Sequence, residues 1–262
     1  MASQAPNMMP LLYNGIEPLN RNAHGNSKVR SVTTVPSLAT SHAIPVTVDE
    51  FGLAQRYFPI IFSSGDNPVP LALMGLHEGT NTFFDKEGQL LDSTIYMPAY
   101  IRRYPFMLAR LRNDSDELSL CFDPTSGAVG EFDEGQPLFD GDNPSEATKS
   151  ILEFCEQFEQ AGQRTSAFMN ELKESGLLMD GEVAIQPQGS EQPFIYRGFQ
   201  MVDEEKFRNL RGDELRKLNQ NGMLPMILAH LFSLSMVREI FGRQVQQGTG
   251  PQAVAQPATA DA

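Results

Sequence analysis

The apolar positions of this chain follow two different periods, and the change falls near residue 143. Between residues 57 and 123 they cluster in short, dense runs. Residues 57–63 are rich in aromatic and β-branched side chains, and residues 69–77 form a second apolar run. The stretch between them, Ser63-Ser64-Gly65-Asp66-Asn67-Pro68, has the residues of a turn, so the pair predicts two strands. Residues 82–84 and 89–91 flank Asp85-Lys86-Glu87-Gly88 and predict a hairpin. Residues 104–111 and 118–123 predict two more strands around Asn113-Asp114-Ser115-Asp116. Upstream, Thr47 followed by Glu50 has the spacing of a capping box and opens a short helix reaching about Arg56.

From residue 143 the period becomes helical. Asn143-Pro144-Ser145-Glu146 offers an N-cap, a proline at the first helical position and an acid in the first turn. Ile151, Phe154, Cys155, Phe158, Thr165, Phe168, Met169 and Leu172 then make one stripe of a long helix that Gly176 closes. Residues 183–187 and 194–197 predict another hairpin, turning at Gly189-Ser190. Asp213 caps a short helix that stops at Gly222, and residues 224–241 form the most apolar helix. The expected class is α+β, with a mainly antiparallel sheet from the N-terminal half packed by long helices from the C-terminal half. Residues 1–10 and 243–262 are poor in apolar bulk and read as flexible ends, which leaves a single domain over 11–242.

Charge narrows the partners. A formal net charge of −13 argues against nucleic acid, whose phosphates need a basic stripe, and against an anionic membrane surface. The longest uncharged apolar run, 223–237, is interrupted by Pro225 and His230 and is shorter than the roughly 20 residues that cross a bilayer. No membrane insertion is expected from it. Residues 1–9 lack a charged leader and an apolar core, so the cytoplasm is the expected compartment, with signal-less export to the cell surface as the alternative. Cys121 and Cys155 fit neither a disulfide framework nor a metal cage and read as buried, reduced thiols.

The chemistry-bearing block is Pro98-Ala99-Tyr100-Ile101-Arg102-Arg103-Tyr104-Pro105-Phe106. Pro98 suits the start of a short helix and Tyr104-Pro105 its end. On such a turn Tyr100 shares a face with Arg103 and Tyr104, which permits arginine–tyrosine stacking. Two uses remain open for the guanidinium groups. They present themselves to a carboxylate or phosphate ligand, or they pair internally with Asp114, Asp116 or the acidic loop 131–142. That loop lacks the spacing of a calcium-binding loop. No two histidines lie three or four residues apart, so no metal ligand set is expected. His230 sits mid-helix, where a histidine is normally satisfied by a backbone group. Nucleophile elbows, phosphate loops and dinucleotide fingerprints are missing, and no cofactor is expected.

Together these residues resemble the SapC family of bacterial proteins. The resemblance runs through Tyr13-Asn14-Gly15, Pro18-Leu19-Asn20-Arg21, His24, Tyr57-Phe58-Pro59-Ile60-Ile61-Phe62 and Leu73-Met74-Gly75-Leu76. It continues through the arginine block, Leu120-Cys121-Phe122-Asp123, Leu138-Phe139-Asp140, Gln163-Arg164-Thr165, Gly198-Phe199, Val202-Asp203-Glu204-Glu205-Lys206, Asn221-Gly222 and Ala229-His230-Leu231-Phe232-Ser233-Leu234. The resemblance implies a soluble, non-enzymatic accessory or binding protein of a surface layer or outer-membrane uptake system. Its partner would be another protein or a small anionic ligand. The alternative is an enzyme of unrecognised type acting on a small anionic or amino-acid-derived ligand at an Arg/Tyr pocket. The candidate ligand-binding residues are Tyr100, Arg102, Arg103, Tyr104, Asp123 and His230.

Overall fold

Phe106–Arg110 and Leu118–Phe122 pair antiparallel, from Phe106 opposite Phe122 to Arg110 opposite Leu118. In the computed structural model, which describes residues 9–111, 117–186 and 193–250, Leu118–Phe122 is the centre of a three-stranded sheet. Glu17–Pro18 forms its other edge. Asn113, Asp114, Ser115 and Asp116, expected between the two longer strands, and the expected turn at Gly189-Ser190 lie outside the described residues.

The architecture is α+β, and the chain divides into two compact units. One consists of the residues up to 39, 46–50 and 84–167; the other of 40–45, 51–83 and the residues from 168 onward.

In the first unit Phe106, Leu108, Phe122, Leu138 and Cys155 form a buried cluster, with Ile151 and Leu152 packed against it. A second small sheet holds Lys28–Val29 between Val129–Gly130 and Gln136–Pro137. The long helix runs from Glu146 to Glu174, as its apolar stripe predicts. Its cap differs from the expectation. Ser145 Oγ accepts the Thr148 N–H at 3.2 Å, while Asn143–Pro144 is drawn into a ladder with Phe139–Asp140. Gly176, at φ +69°, closes the helix in the left-handed conformation that glycine adopts freely. The hairpin expected around residues 85–88 is reduced to one bridge, Phe84 opposite Leu90. Asp85 Oδ1 holds the turn by accepting the N–H groups of Glu87 and Gln89.

In the second unit a five-stranded antiparallel sheet runs in the order Leu178–Ile185, Phe194–Val202, Ile60–Ser63, Pro70–Leu73, Ala43–Pro45. The strands of residues 57–123 therefore do not share one sheet. Ile60, Ile61, Phe62, Ala72 and Leu73 are all buried, so these strands need cover on both faces and neighbours on both edges. The C-terminal hairpin and Ala43–Pro45 supply the edges.

The last helical stretch comprises Met223–Ser233, a 3-10 turn Leu234–Met236 and Val237–Gln246. Counted as one span, Met223–Gln246 is long and apolar enough to cross a membrane by length and composition, contrary to the expectation from the shorter uncharged run. About 33% of its apolar window is buried, and its buried polar groups bond within their own unit. Ser233 Oγ accepts the Ile60 N–H at 2.8 Å, and Gln244 Oε1 accepts the Leu76 N–H at 2.8 Å.

Candidate functional site

The arginine block folds as a single turn, Ala99–Arg102, with Pro98 extended before it and a cis peptide at Tyr104-Pro105 after it. A buried carboxylate fixes where the turn starts. Glu50 Oε1 accepts the Ala99 N–H at 2.6 Å and the Tyr96 hydroxyl at 2.9 Å. Its Oε2 accepts both the N–H and the hydroxyl of Thr47 at 2.9 Å. The capping-box spacing thus serves a second purpose that local sequence does not reveal.

Arg103 is only 7% exposed. Its guanidinium lies over the rings of Phe158 at 4.3 Å, Tyr100 at 4.6 Å and Tyr13 at 5.9 Å. The expected stacking on Tyr100 is present, but the counter-ion is a surprise. Glu159 of the long helix approaches Nη1 at 3.5 Å, in place of the acids 131–142. Arg103 Nε is buried and has no hydrogen-bond partner among the described residues. A buried N–H without an acceptor carries its full desolvation cost, so such groups in native proteins usually have a partner.

Arg102 is exposed and lies over Phe154 at 5.2 Å and Tyr96 at 5.8 Å. It donates to the Tyr96 hydroxyl at 3.4 Å, and Tyr96 passes the polarity on to Glu50. Burial, reinforced by the Glu50 carboxylate, pushes the Tyr96 phenol up to about 12. Tyr100 donates to the Leu11 carbonyl at 2.9 Å, and burial raises its phenol as well.

Tyr104 and Asp123 have structural work in the same unit. Asp123 is 0% exposed. Its Oδ1 accepts the Thr125 N–H at 2.8 Å and hydroxyl at 2.7 Å. Its Oδ2 accepts the Asn14 N–H at 2.8 Å and the Tyr104 hydroxyl at 3.4 Å. Asp123 therefore caps a short 3-10 turn and ties residue 14 to the strand end. The Tyr104 phenol is pushed up to about 12 by burial, with the Asp123 charge second.

A cleft of about 1240 Å³ opens in this unit beside Arg102, Arg103 and Tyr104. Phe132, Phe154 and Cys155 line it too, as do Arg30 and the acids Glu131, Asp133 and Glu134. Arg30 is pinned, donating to the Gly127 carbonyl at 2.9 Å and lying over Phe132 at 4.2 Å. Cys155 is buried and free, and burial pushes its thiol up to about 11.

His230 belongs to the other unit. It is fully buried and stacks on Phe62 at 4.5 Å. Nδ1–H donates to the Ile60 carbonyl at 2.7 Å, and Nε2 accepts the Val202 N–H at 3.0 Å. The ladder between Phe194–Val202 and Ile60–Ser63 is paired at Phe199 and Gln200, and the imidazole bridges the two strands beyond it. Burial lowers its pKa from 6.5 to about 4, which fits a neutral ring. Of the six candidates, five fall in the first unit and three, Arg102, Arg103 and Tyr104, line the cleft; Asp123 and His230 have their bonds filled by structure. Sequence reasoning missed Glu50, Glu159, Phe158 and Tyr96. Each is joined to the arginine block through contacts that become neighbours only on folding.

The SapC family model matches residues 19–240. The chain belongs to the SapC family. Comparisons with curated proteins and with solved structures returned no match. The arginine block, Glu50, the cleft acids and His230 lie inside the SapC span, whereas Tyr13, which faces Arg103, precedes it.

Proposed function

We propose that this SapC chain is a non-enzymatic ligand-capture protein. The cleft of the first unit takes a small anionic ligand at Arg102 and Arg103. The observation that carries the reading is Arg103, held by three aromatic rings at 7% exposure with Nε lacking an acceptor. A guanidinium fixed in this way loses little freedom on binding, and a carboxylate or phosphate oxygen matches its donors. The ionisable groups around it favour capture over chemistry. The phenols of Tyr96 and Tyr104 and the thiol of Cys155 are all pushed upward, away from the neutral range where a general base or nucleophile works. Asp123 and His230, which an enzymatic use of the Arg/Tyr pocket would enlist, are already engaged. The setting implied by the family, a bacterial surface layer or an outer-membrane uptake system, is where the protein partner is to be sought.

Calorimetric titration of the full chain with 3-phenylpropanoate tests the reading. Arg102→Ala and Arg103→Ala should each weaken capture by at least about tenfold, the value of one charge-assisted hydrogen bond. Unchanged, wild-type affinity in both variants would remove the site. Protease shaving of intact native cells tests the setting; survival of the protein alongside a cytosolic marker would count against it.

A further inference from the structure

The charge pattern of the cleft says more than that it admits an anion. Arg102 and Arg103 come from the turn Ala99–Arg102 and the residue after it. Glu131, Asp133 and Glu134 come from the loop between the strands Val129–Gly130 and Gln136–Pro137. These acids line the same cleft, and their carboxylates form no ion pair among the described residues. Lys28, which reaches this loop, donates to the Asp133 carbonyl at 2.7 Å. Arg30 is turned to a backbone carbonyl and a ring. The arginines and the acids of the cleft are therefore not each other's partners. Aromatic rings, Phe132 and Phe154, lie among them.

A site for a simple anion gains nothing from three carboxylates on its wall, because each repels the ligand. Those carboxylates become favourable when the ligand carries a cation as well. We infer that the ligand is a zwitterion with an apolar or aromatic body. Its carboxylate is taken at Arg102 and Arg103, and its ammonium faces Glu131, Asp133 and Glu134. A free amino acid and a short peptide share this chemistry. The volume, about 1240 Å³, exceeds the 300–1,000 Å³ of ordinary small-ligand pockets and admits either. The inference rests on the capture reading above and specifies what is captured.

Three probes on the full chain separate the two: 3-phenylpropanoate, L-phenylalanine and the tripeptide Ala-Phe-Phe. At least one zwitterion should bind about tenfold or more tightly than 3-phenylpropanoate. Whichever zwitterion is tighter assigns the source. The exposed triple variant Glu131→Gln, Asp133→Asn, Glu134→Gln should weaken the zwitterion and strengthen 3-phenylpropanoate, a change of opposite sign that a folding defect cannot produce. N-acetylation of L-phenylalanine should abolish its advantage. If 3-phenylpropanoate binds as tightly as both zwitterions, or if the triple variant shifts all probes alike, the zwitterion inference fails and capture of anions stands. If none of the three binds, both fall.

Discussion

Acidification should destabilise this protein through His230. The ring is fully buried and neutral, with its donor on the Ile60 carbonyl and its acceptor under the Val202 N–H. Protonation of Nε2 would place two hydrogens against each other in a dry site. Burial accordingly lowers the pKa from 6.5 to about 4. The sign follows from linkage: below 6.5 the unfolded chain binds a proton that the folded chain refuses, so stability is full above 6.5 and is lost as the pH falls toward 4. The full interval is worth about 3 kcal/mol, and about 2 kcal/mol of it is gone by pH 5. That is a large share of the 5–15 kcal/mol typical of a domain. Urea unfolding followed by tyrosine fluorescence, at steps from pH 7.5 to 4.5, reads the loss. His230→Gln, which keeps a donor and an acceptor without titrating, supplies the comparison. Its stability is lower at pH 7 but should fall less steeply. His42, whose pKa burial also lowers, is present in both chains and cancels. Parallel curves for the two proteins would refute the neutral, doubly bonded imidazole.

Three further outcomes follow from the bonding around the cleft. Glu50→Gln leaves four donors facing one carbonyl and one amide and should cost about 1–3 kcal/mol, with a measurable drop in ligand affinity because the arginine turn loses its anchor. In thermal melts Asp123→Asn should be more damaging than Tyr104→Phe, since the first disturbs four contacts and the second removes one bond of 3.4 Å, worth under about 1 kcal/mol. Cys121 and Cys155 should react with Ellman's reagent slowly at pH 8 in the native protein and rapidly in urea, because burial both shields and raises the thiols. A fast native reaction at both would contradict their placement.

Much of the fold was legible because it is local. The period of residues 151–172 determines a helix wherever its stripe packs, and the apolar runs at 104–111 and 118–123 mark two strands close in sequence. Pairing between distant segments was not legible. Nothing in residues 60–63 says that their neighbour is 194–202, since apolar strands buried on both faces accept any partner of the same kind. The same limit applied at the site. The arginine turn and its Tyr100 stack come from residues three apart, and sequence reasoning found them. Glu50 looked like a local cap, and Glu159 gave no signal, because their roles depend on residues about fifty positions away, Ala99 and Arg103. His230 showed the opposite effect: its isolation in an apolar helix marked it as unusual, and the cause was a pair of strand ends rather than a substrate.

The interleaved course of the chain bears on how this protein can be dissected. The backbone passes from one unit to the other at 39/40, 45/46, 50/51, 83/84 and 167/168. No single cut yields either unit as a continuous polypeptide. A truncation at any of these joints strips the first unit of its strands or the second of its sheet. A fragment carrying the arginine turn but starting after residue 50 would lack the carboxylate that seats it. Limited proteolysis should then give nicked chains that stay together rather than separable halves. Work on the cleft calls for point substitutions in the whole chain.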